Sequence, residues 1–123
     1  MEKKVLIVDD SNTMRKIVAR SLRQAGFEFE KVLEAPDGQA ALDLLAGEAV
    51  DIVLSDINMP VMDGIEFLRQ KNADAQIKGI PVVMITTEAG TDVLREAMEL
   101  GAVGTIKKPF TAEQVQEVLG KFL

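Results

Sequence analysis

The chain contains no cysteine and no histidine. Without cysteine there are no disulfides and no thiolate chemistry. Lacking both residues, the chain has no Cys/His zinc site and no histidine-based catalytic triad. Tryptophan and tyrosine are missing too, and the aromatic complement is five phenylalanines, which leaves little from which to build a stacking platform for bases or a flavin ring. No apolar run approaches membrane-spanning length. The opening Val5-Leu6-Ile7-Val8 breaks into Asp9-Asp10, too soon for a secretory hydrophobic core. With 14 basic against 20 acidic residues the formal charge is −6, and no basic stripe offsets it, so wrapping a nucleic acid is disfavoured. These absences leave a soluble cytoplasmic protein as the expectation, with neither nucleic acid nor membrane as partner.

The 123 residues, 47% hydrophobic and 28% charged, suffice for one real core and argue against disorder. No linker, repeat or low-complexity segment interrupts them, so the reading is a single domain over residues 1–123, with a monomer as the simpler expectation. Short apolar, β-branched-rich runs at 4–8, 31–35, 51–55, 82–85 and 102–106 read as strands. The run at 31–35 is the most polar of them and suits a sheet edge. Between the runs lie helical patterns. Met14, Ile17, Val18 and Leu22 mark the first, stopped by Gly26; Ala41, Leu44 and Leu45 mark the second; Ile65 and Leu68 mark the third. Leu94, Ala97 and Met98 mark the fourth, and Val115, Val118, Leu119 and Phe122 the fifth. Strict alternation of apolar strands with amphipathic helices calls for an α/β fold: a doubly wound parallel sheet of five strands, covered by five helices on its two faces.

In such sheets the ligand site lies beyond the carboxyl ends of the strands. The polar residues at those ends are Asp9 and Asp10 after the first run, Asp56 after the third, Thr86 after the fourth and Lys108 after the fifth. Each could be a helix cap or a solvated loop charge. That explanation serves any one of them but not the fact that four strands end this way. Three carboxylates in proximity repel one another unless a cation sits among them. An oxygen-only set without histidine or cysteine suits a hard ion such as Mg²⁺. Asp56 beside that ion is positioned as a covalent phosphoryl acceptor, with Mg²⁺, Thr86 and Lys108 able to supply positioning and charge neutralisation. Asp63, in the turn Met62-Asp63-Gly64, reads as a helix N-cap.

Val8-Asp9-Asp10-Ser11, Ser55-Asp56-Ile57-Asn58-Met59-Pro60-Val61-Met62-Asp63-Gly64, Ile85-Thr86-Thr87-Glu88-Ala89 and Lys108-Pro109-Phe110 together resemble the receiver domains of two-component response regulators, above all the stand-alone chemotaxis type. The likeness covers essentially the whole chain, with the motifs in order and at the right spacing. It implies a strand order of 2-1-3-4-5. It implies Asp56 as phosphoacceptor, and Mg²⁺ held by Asp9, Asp10, Asp56 and the backbone carbonyl of Asn58. Thr86 becomes the switch hydroxyl and Lys108 the lysine paired with the phosphoryl group, with a cis Lys108-Pro109 bond. Asn58 and Glu88 fall at positions that tune dephosphorylation, and their identities suggest a short-lived phosphoryl group. The donor implied is a sensor histidine kinase, and the target is a flagellar motor switch protein or a phosphotransfer protein.

Two departures stand out. The aromatic switch position is Thr105 here, so no ring can report phosphorylation there, although a threonine suits a strand. Thr87, beside Thr86, is bulkier than the residue often found there. A phosphorelay intermediate or phosphate sink shares the same chemistry. A Mg²⁺-dependent phosphohydrolase with an Asp nucleophile ranks lower, because such enzymes use Asp-x-Asp and usually a cap domain. A flavodoxin-like cofactor carrier is disfavoured by Asp9-Asp10 where a phosphate would be cradled. A degenerate receiver acting as a scaffold is disfavoured by the full acceptor set.

Overall fold

A computed structural model describes residues 2–87 and 91–123. The elements run β1 (Lys4–Val8), α1 (Asn12–Gln24), β2 (Lys31–Ala35), α2 (Gly38–Gly47), β3 (Ile52–Ser55), α3 (Gly64–Asn72), β4 (Val82–Thr86), α4 (Thr91–Glu99), β5 (Gly104–Lys107) and α5 (Ala112–Leu119). The five strands pair in parallel in the order β2-β1-β3-β4-β5. This is the doubly wound sheet the alternation calls for, with the polar β2 at one edge.

Alternation of side chains along the central strands builds two cores. Leu6, Val8, Val53, Val82 and Met84 face α2, α3 and α4, where Ala41, Leu45, Phe67, Leu68 and Ala97 pack on them. Val5, Ile7, Ile52, Leu54, Val83 and Ile85 face α1 and α5, meeting Val18, Leu22, Val115 and Leu119. Both faces of β1, β3 and β4 are therefore dry, and fully burying each such side chain contributes roughly 1.5–3 kcal/mol. With hydrogen bonds and apolar packing consuming the sheet interior, side chains able to do chemistry are left to the strand ends.

The helices start and stop as their sequences direct. Ser11, Asp37, Asp63 and Thr111 each cap a helix by accepting a backbone N–H, from Met14, Ala40, Glu66 and Gln114 respectively. Gly26, at φ 94°, ends α1: its amide donates back to the Arg23 carbonyl, and the Phe27 amide after it donates to the Leu22 carbonyl.

Beyond one-residue shifts at the ends of β3, β4 and β5, four details depart from the sequence reading. The last strand begins at Gly104 rather than at 102, because the Ala102 amide closes α4 on the Ala97 carbonyl at 3.0 Å and is not free to pair. Ile17 and Met98, expected on inner faces, are 43% and 48% exposed. Each sits one residue from the buried stripe, about 100° around the helix from its neighbour. Phe122 is also exposed, since α5 ends at Leu119 and helical spacing no longer applies beyond it.

Candidate functional site

β1 and β3 are adjacent, with Val8 opposite Ser55, so Asp9 and Asp56 leave the sheet side by side; the Asp56 amide donates to the Val8 carbonyl at 2.8 Å. Asp9 is buried. One carboxylate oxygen accepts the Ser11 amide at 2.9 Å, and the other accepts the Lys108 ammonium at 3.0 Å. Asp10 is exposed on the turn that follows. Asp56 is half-buried and accepts the N–H of Ile57 at 2.8 Å through Oδ1, while its Oδ2 lies 3.5 Å from Lys108 Nζ. Oxygens of Asp9, Asp10 and Asp56 all lie within 4.8 Å of one another.

Gly64 explains why the loop after Asp56 needs its glycine. A Cβ there would run into the Asp56 carbonyl oxygen, and would sit 2.9 Å from the Ile57 Cα. The close approach is fixed by a 2.7 Å bond from the Gly64 amide to the Ile57 carbonyl, which turns the chain directly into α3.

The other side of the site comes from β4 and β5. Thr86, buried at the end of β4, accepts the Lys108 amide on its carbonyl at 2.8 Å, so threonine and lysine are joined through the main chain. The Lys108-Pro109 bond is cis, as the resemblance implies.

The electrostatics are finely opposed. Burial pushes the Asp56 carboxyl above its ordinary range. The Lys108 charge and the Ile57 amide pull it back, and Asp9 pushes it up again. The lysine thus stands between two carboxylates that would otherwise repel each other. Such an all-oxygen group, with no nitrogen or sulfur ligand in the chain, fits a hard divalent cation.

Asn58 follows in the loop after β3 and helps line a cleft of about 390 Å³ between α3 and α4, with Glu66, Arg69 and Glu96. Thr105 lies half-buried on β5 opposite Met84, and Thr87 is exposed beyond β4. Glu88 lies outside the described residues. The structure therefore brings Asp9, Asp10, Asp56 and Lys108 together, joins Thr86 to Lys108, and places Thr105 on the strand leading to Lys108. Arg15, which the sequence reading passed over, also reaches this rim by donating to the Asp9 carbonyl at 2.6 Å.

A parallel 2-1-3-4-5 sheet carrying three carboxylates and a lysine at its carboxyl end is the architecture of a phosphoacceptor signalling domain. The chain belongs to the response regulator receiver domain family, whose model matches residues 5–120. It is 44% identical over 118 residues to chemotaxis protein CheY of Pseudomonas aeruginosa, covering 96% of this chain and 94% of that one. To chemotaxis protein CheY-3 of Vibrio cholerae it is 47% identical, covering 96% and 89%. Among solved structures, chemotaxis protein CheY4 of Vibrio cholerae superposes with a TM-score of 0.84 at 38% identity over the full length of both chains.

Proposed function

We propose that Asp56 accepts a phosphoryl group from the phosphohistidine of a sensor histidine kinase, and that the product switches the domain to bind a protein target in chemotaxis. The observation that carries this reading is the single ammonium of Lys108 shared between Asp9 at 3.0 Å and Asp56 at 3.5 Å, next to a third carboxylate. In the transfer, an Asp56 carboxylate oxygen bonds to phosphorus as the phosphorus–nitrogen bond of the donor breaks and the imidazole departs with the kinase. The donor lies outside the chain, which has no histidine.

The residues present fit a divalent ion. Asp9, Asp10 and Asp56, with the backbone carbonyl of Asn58, would hold Mg²⁺. Bound there, it would supply positive charge against the phosphoryl oxygens. Lys108 supplies a second positive charge and exchanges its carboxylate partners for a phosphoryl oxygen, a charge-assisted hydrogen bond. Thr86 follows as a hydroxyl donor, and its main-chain link to Lys108 carries the change into β5 and the helices beside it.

The likeness to chemotaxis proteins favours a flagellar motor switch protein as the target. Thr105, where an aromatic ring would stand, favours a second output: passing the phosphoryl group to a phosphotransfer protein, or holding it as a sink. Either way we take the domain as a monomeric, cytoplasmic unit over residues 1–123 that acts by direct contact. Among the described residues, no helix is long and apolar enough to cross a membrane.

Intact-mass spectrometry after incubation with acetyl phosphate tests the acceptor. One phosphoryl group is expected with Mg²⁺, none with chelator and none in Asp56→Asn; addition that persists in Asp56→Asn would move the acceptor elsewhere. Thr86→Ala should accept the group normally yet bind the partner more weakly, and equal binding by both phosphorylated proteins would remove Thr86 from the switch.

A further inference from the structure

Arg15 is placed to act on the acidic pair without touching either carboxylate. It lies in the first turns of α1 with its side chain 14% exposed, and its guanidinium reaches three acceptors. Nη1 donates to the Asp9 carbonyl at 2.6 Å, Nε to Glu34 on β2 at 2.9 Å, and Nη2 to Asn12 at 3.2 Å. The Asp9 carbonyl belongs to the peptide joining Asp9 to Asp10, so its orientation sets where Asp10 projects. Asp9 has further ties: its amide donates to the Ala35 carbonyl at 3.1 Å, and its carboxylate is held by Ser11 and Lys108. Asp10 has none of these. It is exposed, and no side-chain bond among the described residues fixes its carboxylate, yet that carboxylate lies within 4.8 Å of Asp9 and Asp56. The main chain must hold it there against the repulsion of two neighbours.

We infer that Arg15 is a positioning residue for cation binding. Braced by Glu34, it pins the Asp9-Asp10 peptide so that Asp10 stays in the carboxylate cluster. The inference rests on the reading of that cluster as a Mg²⁺ site. An arginine is required because one planar fork meets three acceptors at fixed angles, which a single ammonium cannot do. Groups that orient ligands from behind in this way typically matter ten- to a hundredfold in metal affinity.

A surface ion pair of Arg15 with Glu34 that only fastened α1 to β2 would leave cation binding to the electric field. The field and the clamp predict opposite signs. Removing a positive charge beside a cation site strengthens binding through the field, whereas loosening the clamp weakens it. The test is calorimetric titration of the full chain with Mg²⁺ in the parent, Arg15→Met, Arg15→Lys and Glu34→Gln, with thermal unfolding in chelator as the check on folding. Both Arg15 variants should show a dissociation constant raised roughly tenfold. Their phosphorylation by acetyl phosphate should return to the parent rate at saturating Mg²⁺, a loss of affinity without loss of the chemical step. Glu34→Gln should show a smaller loss, and an unchanged constant there would overturn the brace. Mg²⁺ binding by Arg15→Met as tight as the parent's, or tighter, would overturn the clamp. If Arg15→Met does not fold, Arg15→Lys decides, since it keeps the charge and loses the fork. A folded parent that takes up no Mg²⁺ would instead overturn the underlying reading of the site.

Discussion

Each end of the sheet buries a lysine, and the two are held in different ways. At the carboxyl end, Lys108 is 10% exposed and stands between the carboxylates of Asp9 and Asp56. At the amino end, Lys71 near the close of α3 is 2% exposed and donates to the Lys78 carbonyl at 2.9 Å, with no carboxylate in ion-pair reach among the described residues. Burial pushes the Lys71 ammonium below its ordinary value of 10.5. The Lys108 charge and its carboxylates compensate one another, and in the proposed function all of them exchange with an arriving cation or phosphoryl group. The Lys71 charge does no such work. Its stem fills an apolar position and its head tacks down the turn of residues 74–80, so the ammonium is an expense of that architecture. Removing the two lysines should therefore change stability in opposite directions.

The larger effect belongs to Lys108→Met. It leaves Asp9 and Asp56 facing each other in a partly dry site, and breaking such a pair from one side should destabilise the chelated protein by about 2–3 kcal/mol, roughly ten degrees in midpoint. Mg²⁺ should recover part of the loss by binding only the folded state. The deficit should also shrink in acid. The folded-state pKa of Asp56 is already raised above its ordinary 3.8, so between those two values the folded state holds more protons than the unfolded one, and stability falls as pH rises through that window. Without Lys108 this penalty deepens at neutral pH and disappears once Asp56 is protonated. Thermal unfolding with and without Mg²⁺, from neutral pH downward, reads all three. An unchanged midpoint would mean the ion pairs contribute nothing.

Lys71→Met should go the other way, by about 0.5–1 kcal/mol at neutral pH. It conserves volume and relieves a desolvated charge, at the loss of one hydrogen bond to a carbonyl. The sign with pH is opposite to that of a paired lysine. Between the lowered folded value and 10.5 the unfolded chain binds more protons, so the parent gains stability as pH rises, and the advantage of Lys71→Met should close toward pH 10. A variant destabilised at neutral pH, with a gap independent of pH, would make the ammonium a net anchor and break the contrast.

The same two residues show where a sequence is legible. Lys108 was found because it follows an apolar run, and in a parallel sheet every such position reaches one rim. Asp9, Asp10, Asp56 and Thr86 obey the same rule, and the family motifs imply the roles proposed for them. Lys71 was missed although its spacing points inward: the buried positions of α3 are Gly64, Phe67, Leu68 and Lys71, an unbroken helical stripe. Lysine as a residue type points to the surface and the helical period points to the core, and the structure follows the period. Arg15 left no trace at all, because its partner at the site is a main-chain carbonyl, which any residue would offer. Strand β5 was displaced for a similar reason, its first expected residue having been taken by the close of α4.

The smallest effect concerns strain rather than charge. Val61 lies in the loop between Asp56 and Gly64 with φ 67°, a region a β-branched residue rarely occupies, and its side chain is 84% exposed. So exposed a side chain has little packing to hold that conformation; the Pro60 carbonyl accepts the Met62 amide at 2.7 Å, which tightens the turn around it. Val61→Asn, which tolerates the left-handed region, should stabilise by about 0.5–1 kcal/mol. Because Val61 is uncharged and projects into solvent, the gain should be equal in chelator and in Mg²⁺, with an unchanged Mg²⁺ constant by titration. A gain confined to the chelated protein would show instead that the strain of this loop relaxes when the cation binds. The carboxyl end would then differ from the amino end in backbone as well as in charge.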